Sequence, residues 1–417
     1  MRKVLLATTA IVGVALASAA QAAAPASPIT LNVGGYTDFV AGRFHESNQA
    51  TGGVSTNRSR MDFETEYKIN FDAVGKASNG VEYGANISLW NGPEVTNLWT
   101  GGGTAASINS AYVWLSGAFG KVLFGDEHGS SDLQVYAPTV GEGQIDGRFQ
   151  DFTSPFSLAR VYASGIDNTE HSTKITYYTP KVGNEANKVQ LGVSYAPSMY
   201  DYGSNVTKFN AVATAAGTAG ANAAVSPYKN LVKGDVGFWG NWHPVNVALS
   251  ANIRTADGGA TGVAVPAMFG NALAGFGFQD WTSWGVGGQV GISGLPGFTL
   301  GGSYQDLGRY GTTHGQNQNQ DLYTVGAKYE FDKVGLAASY LTSSQYNNLL
   351  AGTNPGAGGV NGTNYVSSYN AYSVGGTYTW FPGLTTNADG VMFHQASTNS
   401  AARNDGYVLL VSQRLAF

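Results

Sequence analysis

The chain has 417 residues, among them 58 Gly and no Cys, with only 12% charged and 12% aromatic residues. Charge at about half the ~25% of soluble domains excludes a large water-facing helical surface; the missing Cys excludes a disulfide framework and thiolate metal sites. The net charge of −5 argues against nucleic acid as a partner, since that needs a basic footprint.

The first element is an export signal. Arg2 and Lys3 precede an apolar run from Val4 to Ala17, and Ala20-Gln21-Ala22 has the small-x-small form of a cleavage site. Residues 1–22 are thus read as a cleaved leader and 23–417 as one domain, with 20 bases against 27 acids and a net charge of −7. Beyond the leader no apolar run reaches the 18 or so residues of a spanning helix. The Ala-rich stretch 211–225 comes closest, but Gly217, Gly220 and Asn222 interrupt it. Only helices and closed barrels satisfy every backbone group in lipid. An exported chain of this kind that enters a membrane must therefore be a barrel.

The clearest strand runs from 60 to 74. Arg60, Asp62, Glu64, Glu66, Lys68, Asn70 and Asp72 alternate with Met61, Phe63, Thr65, Tyr67, Ile69, Phe71 and Ala73. Period two is a strand signature that no amphipathic helix produces. Lys or Arg at the lipid midplane costs ~2–4 kcal/mol, so in a barrel Asp62, Glu64 and Glu66 face an aqueous lumen and the apolar set faces lipid. In a soluble exported sandwich the apolar set would face a core instead.

The rhythm of connections favours the barrel. Sixteen strands are predicted, near 30–42, 60–74, 80–90, 107–116, 121–128, 172–181, 187–196, 233–243, 246–254, 281–293, 298–306, 321–331, 334–342, 368–380, 384–394 and 405–417. Seven short turns interleave strictly with eight long connections, the pattern of an all-β, antiparallel outer-membrane barrel with short periplasmic turns and long outer loops. Trp90, Trp281 and Trp284 fall at outer strand ends and Trp242 and Trp380 at inner ends, where interfacial aromatic girdles sit.

Two segments resemble the Gram-negative general porin family. Ala111-Tyr-Val-Trp-Leu-Ser-Gly-Ala-Phe-Gly-Lys-Val-Leu-Phe-Gly125 is similar to that family's AYVGLSG-x-FG-x-V-x-LG-R strand–turn–strand. Asp167-Asn168 followed by Lys174-Ile-Thr-Tyr-Tyr-Thr-Pro180 is similar to its DNS-(I/V)-x-Y-x-SP re-entry strand. Phe417, ending a strand with Leu409, Val411 and Leu415, is similar to the C-terminal signal by which such barrels reach the barrel-assembly machinery. Trp114 and Asp126 stand where the family has Gly and Arg, and the second departure removes a positive charge from the pore wall. The resemblance implies a homotrimer among outer-membrane lipid and lipopolysaccharide, passing small polar solutes by passive diffusion, with the 129–171 connection folded inward as a constriction.

That connection has 43 residues, long for a structureless surface loop. Its acids Asp132, Glu142, Asp146 and Asp151 are the candidates for the constriction, Glu142 and Asp146 foremost because their Gly neighbours suit tight bends. Arg58, Arg60 and Lys68 are the candidate basic wall. Acids facing bases across a narrow lumen set ion preference by Coulomb attraction, and the acidic balance points to mild cation preference. The alternative is a substrate-selective sugar or nutrient channel, which needs a run of lumen-facing aromatics; Tyr36 and Tyr178 alone do not make one.

Catalytic chemistry is not legible. His45, His128, His171, His243, His314 and His394 are scattered without an HExxH pair, no GxSxG occurs, and Gly285-Val-Gly-Gly-Gln-Val-Gly lacks the third Gly of a dinucleotide loop. No cofactor is expected; Asp126-Glu127-His128 offers ligands at most for a loop-bound Ca²⁺.

Overall fold

The computed structural model describes residues 28–47, 50–51, 54–55, 60–91, 107–141, 147–153, 172–199, 228–259, 279–310, 320–347, 365–397 and 403–417. The leader, Arg58, Glu142 and Asp146 lie outside the described residues. The strands are β1 Thr30–Glu46, β2 Met61–Lys76, β3 Glu82–Trp90, β4 Ser107–Gly117, β5 Gly120–Asp126, β6 Thr173–Tyr178 (continued by Val182–Gly183), β7 Asn187–Ser198 and β8 Tyr228–Trp242. They continue as β9 Val245–Gly258, β10 Trp281–Ile292, β11 Phe298–Gly308, β12 Gln320–Phe331, β13 Val334–Asn347, β14 Tyr365–Phe381, β15 Leu384–Ser397 and β16 Asn404–Ala416.

Each strand pairs antiparallel with the next, and β1 pairs with both β2 and β16, so the sheet closes on itself. At the seam Asp38 stands opposite Glu66 on one side and Arg414 on the other. Phe417 extends the seam: its N–H donates to the Gly35 carbonyl at 3.0 Å and its own carbonyl accepts from Gly35 N–H at 2.9 Å. A closed sheet leaves no edge for lipid to meet.

The alternation read from the sequence is the alternation of the two faces. Phe39, Phe63, Ile87, Leu249, Ile253, Val325, Tyr372, Val374 and Met392 point outward, 44–67% exposed. So extensive an apolar belt suits hydrocarbon rather than water. The sheet closes on itself, and among the described residues the other sheet is only the two-residue pair Ala50–Thr51 with Val54–Ser55, so the sandwich reading falls. The sixteen strands agree with the predicted ones to within a few residues. They overshoot at the long-connection rim, where β8 starts at 228, β9 ends at 258 and β13 ends at 347, because backbone pairing there continues beyond the apolar alternation. β6 is interrupted after Tyr178, where Pro180 has no N–H to give the ladder.

Two expectations are corrected. Trp242, Trp284 and Trp380 sit on the outer face, 44–49% exposed, but Trp90, which stands opposite the inward Lys68, does not, and neither does Trp281. Three residues from Trp284, it takes the opposite face of β10 and is buried against Tyr228 and Tyr310, with ring centroids 5.9 and 5.6 Å away. The interior is also not polar throughout. Val40 and Phe44 of β1, Leu322 of β12, Leu341 of β13, Phe393 of β15 and Leu410 of β16 point inward and form a buried apolar cluster. Apolar residues on both faces explain why these strands alternate weakly in sequence.

Candidate functional site

The candidate site is the lumen wall together with two described stretches of the 129–171 connection. As β5 ends, Glu127 fixes the change of direction: its carboxylate accepts from Gly129 N–H at 2.6 Å and from the Thr176 hydroxyl at 2.5 Å, and Lys174 donates to its carbonyl. Asp126 accepts from the Thr173 hydroxyl at 2.5 Å. Among the described residues no three His, Asp or Glu converge as a metal site would require.

From there the chain follows the inner wall rather than the outer rim. Ser130 N–H donates to Ser194 Oγ of β7 at 2.8 Å, and its hydroxyl donates to Asp235 of β8. Val135 N–H donates to Ser250 Oγ of β9 at 2.8 Å, Gln289 Nε2 of β10 donates to the Tyr136 carbonyl at 2.8 Å, and Ala137 N–H donates to Thr324 Oγ1 of β12 at 3.3 Å. Each wall partner is one residue away from an outward-facing apolar residue, as period two requires. Contact with the wall is closest at Gly287 of β10, where an added Cβ would stand 1.6 Å from the Val135 carbonyl oxygen. Only glycine admits a backbone this near.

The second stretch, 147–153, docks on the opposite wall. Arg148 places Nη2 2.6 Å from Glu66 Oε2 and Nη1 3.2 Å from Asp38 Oδ2, with all three side chains at most 8% exposed. Burial alone would lower the pKa of this guanidinium, but Glu66, Asp38 and Glu64 around it hold it above its ordinary value. Glu66 also accepts from the Tyr36 hydroxyl, and the Arg414 guanidinium lies 3.7 Å from the Tyr36 ring centroid. Beside Arg148, Phe149 and Phe152 enter the apolar cluster, and Phe152 covers Gly42 so closely that an added Cβ would stand 2.3 Å from its ring.

The candidate residues are placed as follows. Asp62, Glu64 and Glu66 stand opposite Gly42, Val40 and Asp38 and share the inner face with them. Lys68 is also inward, its ammonium 5.9 Å from the Trp90 ring centroid. Arg60 is exposed just before β2, its carbonyl accepting from Phe44 N–H at 3.0 Å. Asp132 is exposed in the 129–133 turn and accepts from the Tyr178 hydroxyl at 3.3 Å; Asp151 is half-buried in the 148–152 turn. The polarity at β1–β2 is the reverse of the expected one, with the cation on the inserted segment and the carboxylates on the wall. Beyond Lys68 and Arg414, the wall carries buried cations farther round: Lys233 of β8 and Arg254 of β9 stand directly opposite one another at 1% and 2% exposure. Lys233 was hidden because β8 alternates loosely in sequence, whereas Arg254 continues the polar set Asn246, Ser250 and Asn252 of β9. Arg148 was hidden because it is one base in an acidic stretch.

Residues 7–399 match a family model described as Gram-negative porin. An uncharacterized protein of Rickettsia prowazekii is 26% identical over 204 residues; the match covers 44% of this chain and 43% of that protein, so the chain spans less than half the length of this curated relative. Among solved structures, the trimer form of OmpT from Vibrio cholerae shares 12% identity at a TM-score of 0.53, covering 94% of this chain and all of that one. An anion-selective porin from Comamonas acidovorans shares 13% identity at a TM-score of 0.53, covering 93% and 100%. Closed sheet, lipid-facing belt and family match converge: the chain belongs to the Gram-negative porins, as an outer-membrane channel protein.

Proposed function

We propose that this porin is a passive diffusion channel for small hydrophilic solutes and ions, performing no chemistry on them, and that it works as a trimer. It is exported by a leader over residues 1–22 and assembled through the strand that ends at Phe417. The 129–171 connection is its constriction. The observation carrying this reading is the contacts that residues 130–137 and Arg148 make with inner-wall side chains on β7, β8, β9, β10, β12, β1 and β2. A segment held against so much of the wall narrows the lumen by its own thickness.

Mild cation preference follows from the net charge of −7 after leader removal and from Asp62 and Glu64, the wall carboxylates of β2 outside the Arg148 ion pairs. Single-channel conductance with solutes of increasing size tests diffusion; a saturating flux independent of solute size would overturn it. Reversal potentials under a salt gradient test the charge preference. Glu142→Gln with Asp146→Asn should lower the cation permeability ratio while the barrel still folds, and an unchanged ratio would mean that these acids do not face the pore.

A further inference from the structure

Two inward tryptophans are mounted alike. The Trp239 ring of β8 lies over Gly237, where an added Cβ would stand 2.7 Å from Cη2, and Lys181 holds its ammonium 4.5 Å from the ring centroid. The Trp114 ring of β4 lies over Gly84 of β3, where an added Cβ would stand 2.7 Å from Cε2, and the Lys121 ammonium is 5.2 Å from its centroid. Both rings, with Tyr112, pack against the buried cluster of Leu123, Leu133 and Tyr178. They form one aromatic patch across β4 to β8 under the inserted segment, on the side of the short connections. Tyr36 and Tyr178 alone made no such run in the sequence; the missing members came from strands whose lumen-facing residues do not announce themselves.

Simple diffusion does not need flat aromatic faces on a wet wall, where Ser or Thr would be better hydrated. The polar groups near Trp239 are mixed in sign. A pocket of about 390 Å³ is lined by Trp239, Asp132, Gln134, Gln289 and Lys328. Mixed charge beside a broad apolar face does not select an ion; it suits a neutral molecule with an apolar C–H face and a rim of hydroxyls.

We propose that the Trp239 pocket is a subsite for neutral pyranose saccharides, with a sugar ring stacked on that indole, its hydroxyls met by Asp132, Gln289 and Lys328, and Trp114 extending the aromatic face beyond the pocket. This rests on the lumen being the diffusion path. The lysine over Trp239 is no obstacle: Lys181 is exposed, where a cation–π contact is weak, and a displaced ammonium becomes a donor to the sugar rim.

The test uses the full-length protein in planar bilayers and a linear α-1,4-glucose oligosaccharide, with polyethylene glycol of equal radius and benzoate as controls. The oligosaccharide should block the ion current saturably and the polymer should not. Trp239→Ala should raise the half-saturating concentration roughly two- to tenfold, the worth of one stacking contact. Trp239→Phe should recover part of the loss, and Gly237→Ala, which lifts the ring while keeping the indole, should weaken the block in the same direction. Should Trp239→Ala fail to insert, the other two variants carry the test, each judged folded by its ion conductance and heat-modifiable gel mobility. Equal block by polymer and saccharide, stronger block by benzoate, or half-saturation untouched by these variants would overturn the subsite. Absence of ion conductance in the unaltered protein would overturn the channel reading itself.

Discussion

The two stretches of the inserted segment are held by different physics. Residues 130–137 bury only the smaller Leu133 and Ala137 and rest mainly on hydrogen bonds to Ser194, Asp235, Ser250, Gln289 and Thr324, the neutral ones each worth ~0.5–1.5 kcal/mol net, and on a glycine that allows backbone against wall. Residues 147–153 rest on two buried phenylalanines and a guanidinium shared by two buried carboxylates. Hydrogen bonds spaced along a backbone fix path and register, and each can be replaced by lumen water. Apolar burial and a desolvated ion pair supply energy and tolerate no partial loss. The first stretch therefore sets where the segment runs, and the second sets how firmly it stays.

The largest expected effect is at Arg148. Arg148→Met leaves Asp38 and Glu66 buried without their cation and should cost about 3–5 kcal/mol. The readout is the urea midpoint in detergent micelles, with a higher or noisier single-channel conductance if the segment comes free. Adding Asp38→Asn and Glu66→Gln to that variant should restore most of the loss, since replacing a whole buried pair is far milder than orphaning one side of it. No recovery would mean that Arg148 acts through packing. Phe149→Ala comes next at about 3 kcal/mol, at the low end for a fully buried Phe because lumen water can enter the cavity; a loss under about 1 kcal/mol would show that the apolar cluster does not anchor the segment.

Gly287→Ala probes the other stretch. The added methyl cannot share space with the Val135 carbonyl, so the segment must lift there, at ~1–3 kcal/mol. Its signature is a change in conductance at modest cost in stability, the opposite balance to Phe149→Ala. Equal conductance in both would erase the distinction between path and anchorage.

Much of the barrel was legible and much of the site was not, for one reason. Period two reports a strand whenever its faces meet different media, as in β2 and β9, where charges or Ser and Asn oppose Phe, Leu and Ile. Where the inner face packs against the inserted segment, as at Val391 and Phe393 of β15, both faces are apolar and the pattern fades. Gly42 and Gly287 matter because of what approaches them from a distant part of the chain, which local sequence does not record. Arg148 is one base among acids, and charge counts give a balance and not a pairing. Trp281 was misplaced by treating a strand end as one environment when it has two faces.

The smallest effect, at Ser250, decides whether the two stretches are independent. Ser250→Ala removes the acceptor of Val135 N–H, and because the group lies beside an aqueous lumen a water can take the place of the hydroxyl, so the loss should be near 0.5 kcal/mol. Urea midpoints of Ser250→Ala, Phe149→Ala and the double variant then form a cycle. Docking on separate walls predicts that Ser250→Ala lowers the midpoint by the same amount in the Phe149→Ala background as in the unaltered protein. If the double variant loses clearly less than the sum, Phe149→Ala alone has already peeled the segment off Ser250, and the path would depend on the anchor. A strictly additive result would mean that residues 130–137 keep their course along β7–β12 even when residues 147–153 have let go, which leaves the contacts of that stretch with the wall sufficient to hold it by themselves.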